Sequence, residues 1–306
     1  MIPAVSNQAI NGILLLNKPL GITSNKVLQK VKRLFGASKA GHTGSLDPLA
    51  TGMLPICFGE ATKISQFLLD ADKCYATTGL LGIKTTTADA SGEVLAKVEQ
   101  FTIDKQQLLS ILEKYKGKTE QIPSMFSALK HQGTPLYRLA RAGKEVERKA
   151  REIVISELQL ESFDGQSFSL RVRCSKGTYI RNLVEDIGDA LEVGAHVTQL
   201  HRIYTSGFEQ LPMYTLEELE SMTDEQRNNC LIAMDKAVDY FVAIYLTDDE
   251  VIAIRQGRII SGKAVKEQAE LIRLYDKNQE FIGLGYQEPN GTIKAKRLLG
   301  FLASEK

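Results

Sequence analysis

The chain has 306 residues, 25% of them charged and 43% hydrophobic, with a formal net charge of +1. Such a length and balance predict one or two folded domains around a sizeable core and exclude global disorder. No stretch approaches the roughly 18 apolar residues of a membrane span, and the N-terminus has no basic n-region, its apolar run Ile13–Leu16 being too short for a signal peptide.

Gly12–Leu16 reads as a short strand closed by the turn signal Asn17-Lys18-Pro19-Leu20-Gly21. Ser24 then reads as the N-cap of a helix with Val27, Val31, Leu34 and Phe35 on its apolar face, Lys26, Lys30, Lys32 and Arg33 elsewhere, and Gly36 as its stop. Residues 41–63, GHTGSLDPLATGMLPICFGEATK, are too glycine-rich for a regular element before about Met53. Tyr75–Leu81 and Ser169–Cys174 read as strands, the second with Phe168, Leu170, Val172 and Cys174 alternating with Ser169, Arg171 and Arg173. Between them, Asp104–Lys116 is an amphipathic helix closed by Gly117. The turn Ser175–Thr178 opens another helix with Ile180, Leu183, Val184, Ile187 and Leu191 inward. Thr215-Leu216-Glu217-Glu218 and Thr247-Asp248-Asp249-Glu250 match capping boxes. Past residue 245 the segments LIRLYD, EFIGLGY and GTIKAKRLLG predict a small strand-rich domain, 246–306, after a main domain, 1–245. Strands and helices intermix without regular βα alternation, so the class is α+β rather than doubly wound.

The near-neutral total hides a segregation of charge. Residues 11–46 hold six basic side chains and no acidic one, residues 130–151 hold seven against two, and residues 209–250 hold eleven acids against two bases. Basic stretches of this kind suit a polyanionic partner or, equally, solvated helix faces. The four cysteines (57, 74, 174 and 230) are scattered without a CxxC, which predicts reduced thiols in a cytoplasmic protein rather than a disulfide framework or zinc ribbon.

The chemistry concentrates on Asp47. Pro48 pushes that residue toward an extended backbone, and Gly41, Gly44 and Gly52 permit positive φ and close backbone approach. No GKS or GKT follows the glycines, so the segment is no P-loop, and the four histidines (42, 131, 196 and 201) lack metal-site spacing. A glycosidase pair would want a second carboxylate, of which Glu60 is the nearest in sequence. An ordinary aspartate, with a pKa of about 3.9, is ionised at neutral pH and better placed as a nucleophile than as a general acid.

Residues 41–63 resemble the catalytic motif of the TruB family of tRNA pseudouridine synthases. Four more blocks match in the family's order: Asn17-Lys18-Pro19 with Gly21–Ser24, Lys73-Cys74-Tyr75, Gln121–Lys130, and Cys174–Arg181. The resemblance implies a pseudouridine synthase fold, a mixed and largely antiparallel sheet flanked by helices and loops, with a small C-terminal PUA-like β domain. It implies isomerisation of the T-loop uridine conventionally numbered 55, with Asp47 as nucleophile on a flipped-out base and no cofactor or metal. Tyr75 would stack on the base and Arg181 would pair with the acid. His42 would help extrude the base, and Tyr179 and Leu200 would line the uracil pocket. In isolation Tyr75 and Leu200 read as core and Arg181 as solvated. Lys18, Lys63, Lys73, Lys130 and Lys176 read as phosphate contacts or local ion pairs. An insertion at 124–151 would grip the T-arm and the C-terminal domain would meet the acceptor stem, in a monomer needing no membrane and no obligatory protein partner. His201 departs from the family's Leu-Arg-Arg pattern. A tRNA-binding or tRNA-folding factor with secondary catalysis is the alternative, as is, further off, a subunit of a guide-RNA ribonucleoprotein.

Overall fold

The computed structural model describes residues 10–263 and 270–300; the start of the N-terminal stretch read above for targeting features lies outside them. The elements, in order, are β1 (Gly12–Lys18), α1 (Ser24–Leu34), β2 (Ala40–His42), β3 (Ala50–Phe58), α2 (Ser65–Asp70), β4 (Lys73–Leu81), β5 (Ile83–Thr85), β6 (Val94–Lys97), α3 (Lys105–Glu113) and β7 (Gly117–Gln121). Then come β8 (Lys130–His131), β9 (Thr134–Pro135), α4 (Leu136–Arg141), β10 (Arg151–Phe163), β11 (Ser167–Cys174), α5 (Ile180–Ala190), β12 (Ala195–Thr205), α6 (Leu216–Ser221) and α7 (Asp224–Asn229). A last group comprises β13 (Val242–Tyr245), α8 (Asp248–Arg255), β14 (Leu271–Tyr275), β15 (Phe281–Gln287) and β16 (Ile293–Leu298).

Eight strands form the main sheet in the order β1-β3-β12-β4-β11-β10-β7, with β2 paired to β3 off this path. Every pairing in it is antiparallel except β12 with β3. On the side of β3 away from β1, β12 pairs with residues 50–52 and β2 with residues 56–58. The Asp47 loop therefore leaves the sheet where the partner of β3 changes. The period-two pattern of β11 is realised, with Phe168, Leu170, Val172 and Cys174 buried. One face of the sheet is covered by α1 and α5 through Val27, Val31, Leu183, Val184 and Ile187. The other face buries Ile13, Leu15, Met53 and Cys57 in a cluster that includes Leu284 and Leu299 from the C-terminal part.

That C-terminal part is a four-stranded sheet, β13-β14-β15-β16, around Ile244, Leu246, Ile254, Ile272, Leu274 and Ile293. Its first strand, Val242–Tyr245, begins slightly before the boundary expected near residue 245. Both capping boxes form at Thr215 and Thr247, and Asp104 and Thr223 form two more at the starts of α3 and α7.

The N-cap of α1 differs from expectation. Thr23 caps, accepting from the Lys26 amide, while Ser24 is the first helical residue. Both types cap well, but the Ser24 hydroxyl is taken by a partner far along the chain, described next.

Candidate active site

Backbone contacts to both flanks fix the loop that carries Asp47. Ser24 donates its hydroxyl to the Leu46 carbonyl at 2.9 Å and accepts from the Leu46 amide at 2.8 Å. The Gly21 amide donates to the Pro48 carbonyl at 2.8 Å and the Ala50 amide to the Asp47 carbonyl at 3.0 Å. Lys18 lies fully buried beneath, its ammonium donating to the Ala50 and Pro19 carbonyls at 2.7 and 2.9 Å. Burial lowers the Lys18 pKa to about 8 against the opposing pull of the Asp47 charge. Lys18 is thus a prop for the loop rather than a phosphate contact. A buried ammonium must find fixed oxygens, and here they are main-chain carbonyls.

The Asp47 carboxylate itself is 41% exposed and rests on an arginine that is 5% exposed: Arg181 Nε lies 2.8 Å from Asp47 Oδ2. The rest of the guanidinium is spent on main chain, Nη1 donating to the Thr87 carbonyl at 2.7 Å and Nη2 to the Phe126 carbonyl at 2.8 Å. A planar fork with fixed donors suits this division. Far from being a solvated residue of the first helical turn, Arg181 is a buried strut joining three segments.

Asp47 also proves to have a second carboxylate near its partner. Asp89 Oδ2 lies 3.8 Å from Arg181 Nε, and the Asp89 side chain is nearly as buried as the arginine. Its other oxygen accepts from the Thr87 hydroxyl at 2.7 Å and the Ser91 amide at 2.9 Å. The Asp89 carboxylate is therefore held in place as fully as the guanidinium it faces.

Tyr75 projects from β4 opposite Arg202 of β12. Arg202 Nε donates to the Tyr75 hydroxyl at 3.2 Å, with the guanidinium 5.4 Å from the ring centroid. Burial raises the Tyr75 phenol pKa, Arg202 opposes that shift, and the Asp47 charge adds to it. Tyr179, just before α5, is held by its backbone: Gln121 donates to its carbonyl at 3.0 Å and accepts from its amide at 2.8 Å. Burial raises this phenol too, and Asp47 again contributes. Leu200 is buried on β12 beside Ala50 of β3 and Thr77 of β4. His42 ends β2, where burial and then the Arg202 charge lower its pKa, so the imidazole is neutral at pH 7. Its Nδ1 is buried without a hydrogen-bond partner among the described residues.

Asp47 and Arg181 are thus brought into direct contact, and Tyr75 and Tyr179 lie within reach of the Asp47 charge. His42 and Leu200 join through the strands flanking the loop. Of the other lysines in the matched blocks, Lys73 is buried and donates to the Leu68 and Leu69 carbonyls at 3.0 and 2.7 Å, closing the end of α2. Lys63 pairs with Glu60 and Lys176 with Asp70, while Lys130 is exposed on the β8–β9 hairpin. His201 receives or gives a hydrogen bond at Thr51 Oγ1, 2.9 Å away, so the departure from Leu-Arg-Arg is accommodated locally. Sequence reasoning missed Asp89 and Arg202, and it gave Ser24 and Gln121, though both stand in matched blocks, no part in the site. For Asp89 the only local signal was a polar turn, TTTADASG.

The family pattern described as TruB family pseudouridylate synthase (N terminal domain) matches residues 32–180, and that described as tRNA pseudouridylate synthase B C-terminal domain matches 181–239. The chain belongs to the TruB family of pseudouridylate synthases. A further pattern, pseudouridine synthase II TruB, C-terminal, matches residues 243–299, which hold the four-stranded sheet. A tRNA pseudouridine synthase B of Legionella pneumophila (strain Lens) is 64% identical over 296 residues, covering 97% of this chain and 98% of that one. One from Marinomonas sp. (strain MWYL1) is 49% identical, covering 95% and 96%. Among solved structures, a chain of a Cbf5-Nop10-Gar1 complex has a TM-score of 0.72 at 24% identity, covering 95% of this chain and 85% of that chain. A chain of an H/ACA RNP bound to a substrate RNA containing 2′-deoxyuridine has a TM-score of 0.73 at 22% identity, covering 97% and 87%. These structures share the fold expected of the TruB family, a mixed and largely antiparallel sheet followed by a C-terminal β domain.

Proposed function

We propose that this pseudouridine synthase acts on tRNA, isomerising the T-loop uridine conventionally numbered 55, with Asp47 as nucleophile and no cofactor. The observation that carries the reading is the half-exposed Asp47 carboxylate seated on the buried Arg181 guanidinium at 2.8 Å. One face of the acid is fixed by the arginine and the other is free to meet a base. A charge-assisted contact of this kind orients a carboxylate, and an oriented nucleophile is what addition to uracil or ribose requires. The reaction breaks the bond from N1 to C1′, turns the base, forms the bond from C5 to C1′ and moves the C5 proton to N1. Substrate and product are isomers, so no electrons are gained or lost and one acid with a stacking platform suffices.

Tyr75 serves as the platform, with Tyr179 and Leu200 closing the pocket around the extruded uridine. His42, neutral and with an unpartnered ring nitrogen, occupies the place the base leaves. Extrusion costs a few kcal/mol, part of which a polar ring offsets. The 124–151 insertion, with Lys130 exposed and Arg141 lying 5.8 Å over the Tyr137 ring, holds the T-arm, and the domain from 246 onward meets the acceptor stem. The tRNA substrate rests on the names of the relatives; a cytoplasmic monomer needing no obligatory protein partner is proposed beside it. The test is position mapping of pseudouridine in unmodified tRNA after incubation with the protein. A single new pseudouridine at 55 is expected, and modification elsewhere, or none, would refute the assignment.

A further inference from the structure

Arg202 is 3% exposed and uses every edge of its guanidinium. Nε donates to the Tyr75 hydroxyl at 3.2 Å, Nη1 to the Gly44 and Met53 carbonyls at 3.1 Å each, and Nη2 to the Ser45 carbonyl at 3.3 Å. Gly44 and Ser45 are the residues that lead into Leu46 and Asp47, so one rigid plane ties the nucleophile's loop to the phenol of the stacking tyrosine. We propose that Arg202 is a positioning residue of the isomerisation, fixing the Asp47 loop relative to Tyr75 without touching the substrate. The proposal rests on the reaction assigned above.

Three further observations support it. The main chain of Arg202 is pressed against β3 at Gly52, where a Cβ would lie 2.2 Å from the Arg202 carbonyl oxygen. The strand carrying the arginine therefore sits as close to β3 as glycine permits. Because Nε is the donor, the Tyr75 oxygen is the acceptor in this bond and its own proton stays available for the substrate side. The guanidinium charge also helps to hold His42 neutral, after burial, so a single residue touches three parts of the candidate site. A lysine cannot substitute for it. An ammonium gives donors from one point, whereas here three separate nitrogens of a rigid plane reach the phenol and the Gly44, Met53 and Ser45 carbonyls.

The experiment uses the full chain, a T-arm stem-loop labelled with tritium at uridine C5, and the variants Arg202→Lys and Arg202→Gln. Single-turnover tritium release at saturating RNA is expected to slow by at least about tenfold in both, since ångström-scale misplacement of reacting groups costs rate on this scale. Stem-loop affinity is expected to stay within about threefold, because no substrate contact is lost. The His42 ring resonances, followed by NMR across pH, are expected to titrate higher in Arg202→Gln, which removes the charge, than in Arg202→Lys, which keeps it. A slowed saturating rate with unchanged affinity is what separates positioning from a merely structural role, and the His42 shift reports only the lost charge. A saturating rate in Arg202→Lys within about threefold of wild type, or a loss confined to affinity, overturns the proposal. So does failure of Arg202→Lys to fold, which would assign the residue to stability. Absence of release from the wild-type chain is a different result, refuting the reaction itself before any substitution is compared.

Discussion

Arg181→Lys tests the strut beneath Asp47. The substitution keeps the charge and leaves one donor group where three nitrogens served Asp47, Thr87 and Phe126 at 2.8, 2.7 and 2.8 Å. Drawn to Asp47, the ammonium abandons the two carbonyls. Each buried acceptor left without its donor costs about 1–3 kcal/mol, so the loss is about 2–4 kcal/mol after partial relaxation. At about 2–4 °C per kcal/mol for a domain of this size, the Tm should fall by about 4–16 °C. Calorimetry checks this directly. A companion cycle isolates the second acid: in an Arg181→Met background, Asp89 faces no cation from this arginine, so Asp89→Asn should be about 1–2 kcal/mol less costly there than in the wild type. A Tm for Arg181→Lys within about 2 °C of wild type would refute the reasoning, because it would mean that Thr87 and Phe126 do not depend on the guanidinium.

Gly52 has φ +95° and its missing Cβ would meet the Arg202 main chain at 2.2 Å, so Gly52→Ala should cost about 2–4 kcal/mol; urea unfolding should show a lower midpoint at unchanged slope. Lys73 provides a pH test. Burial lowers its pKa from 10.5 to about 8, the neighbouring Arg202 charge adding to the effect. Between those values the unfolded chain holds more protons than the folded one, so the contribution of this group to stability rises with pH across that window. Lys73→Met should flatten the rise seen in denaturant titrations from pH 8 to 10.5, and an unchanged slope would contradict the burial argument.

Much of the fold was legible because its signals are local. The alternation along 168–174, the apolar face of 180–191 and the capping boxes at Thr215 and Thr247 each declare their element within a few residues, and each forms as expected. Asp47 stood out for the same reason, set in a glycine-rich loop before a proline. What supports it was hidden, since those partners meet only in the folded chain. In isolation Arg181 looked solvated, and only the family resemblance suggested its pairing with Asp47; nothing local showed that Thr87 and Phe126 would also meet it. Lys18 looked like a phosphate contact or a local ion pair, yet its ammonium is consumed by the Ala50 carbonyl on the neighbouring strand. Ser24 and Thr23 are equivalent caps in sequence, and only the long-range bonds to Leu46 separate them. Arg202 drew no notice beside the unusual His201, because nothing local reveals that its side chain will meet Tyr75 from the adjacent strand.

The proposed reaction stands or falls with Asp47 as its nucleophile. The most direct measurement is tritium release from an unmodified T-arm stem-loop labelled at uridine C5, with wild type and Asp47→Asn in parallel and stem-loop affinity recorded for both. Release is expected from the wild type and none from Asp47→Asn, with affinities within a few-fold of each other. Release by Asp47→Asn at a comparable rate would contradict the assignment of the nucleophile, and tight binding with no release by either protein would make the chain a tRNA-binding factor instead.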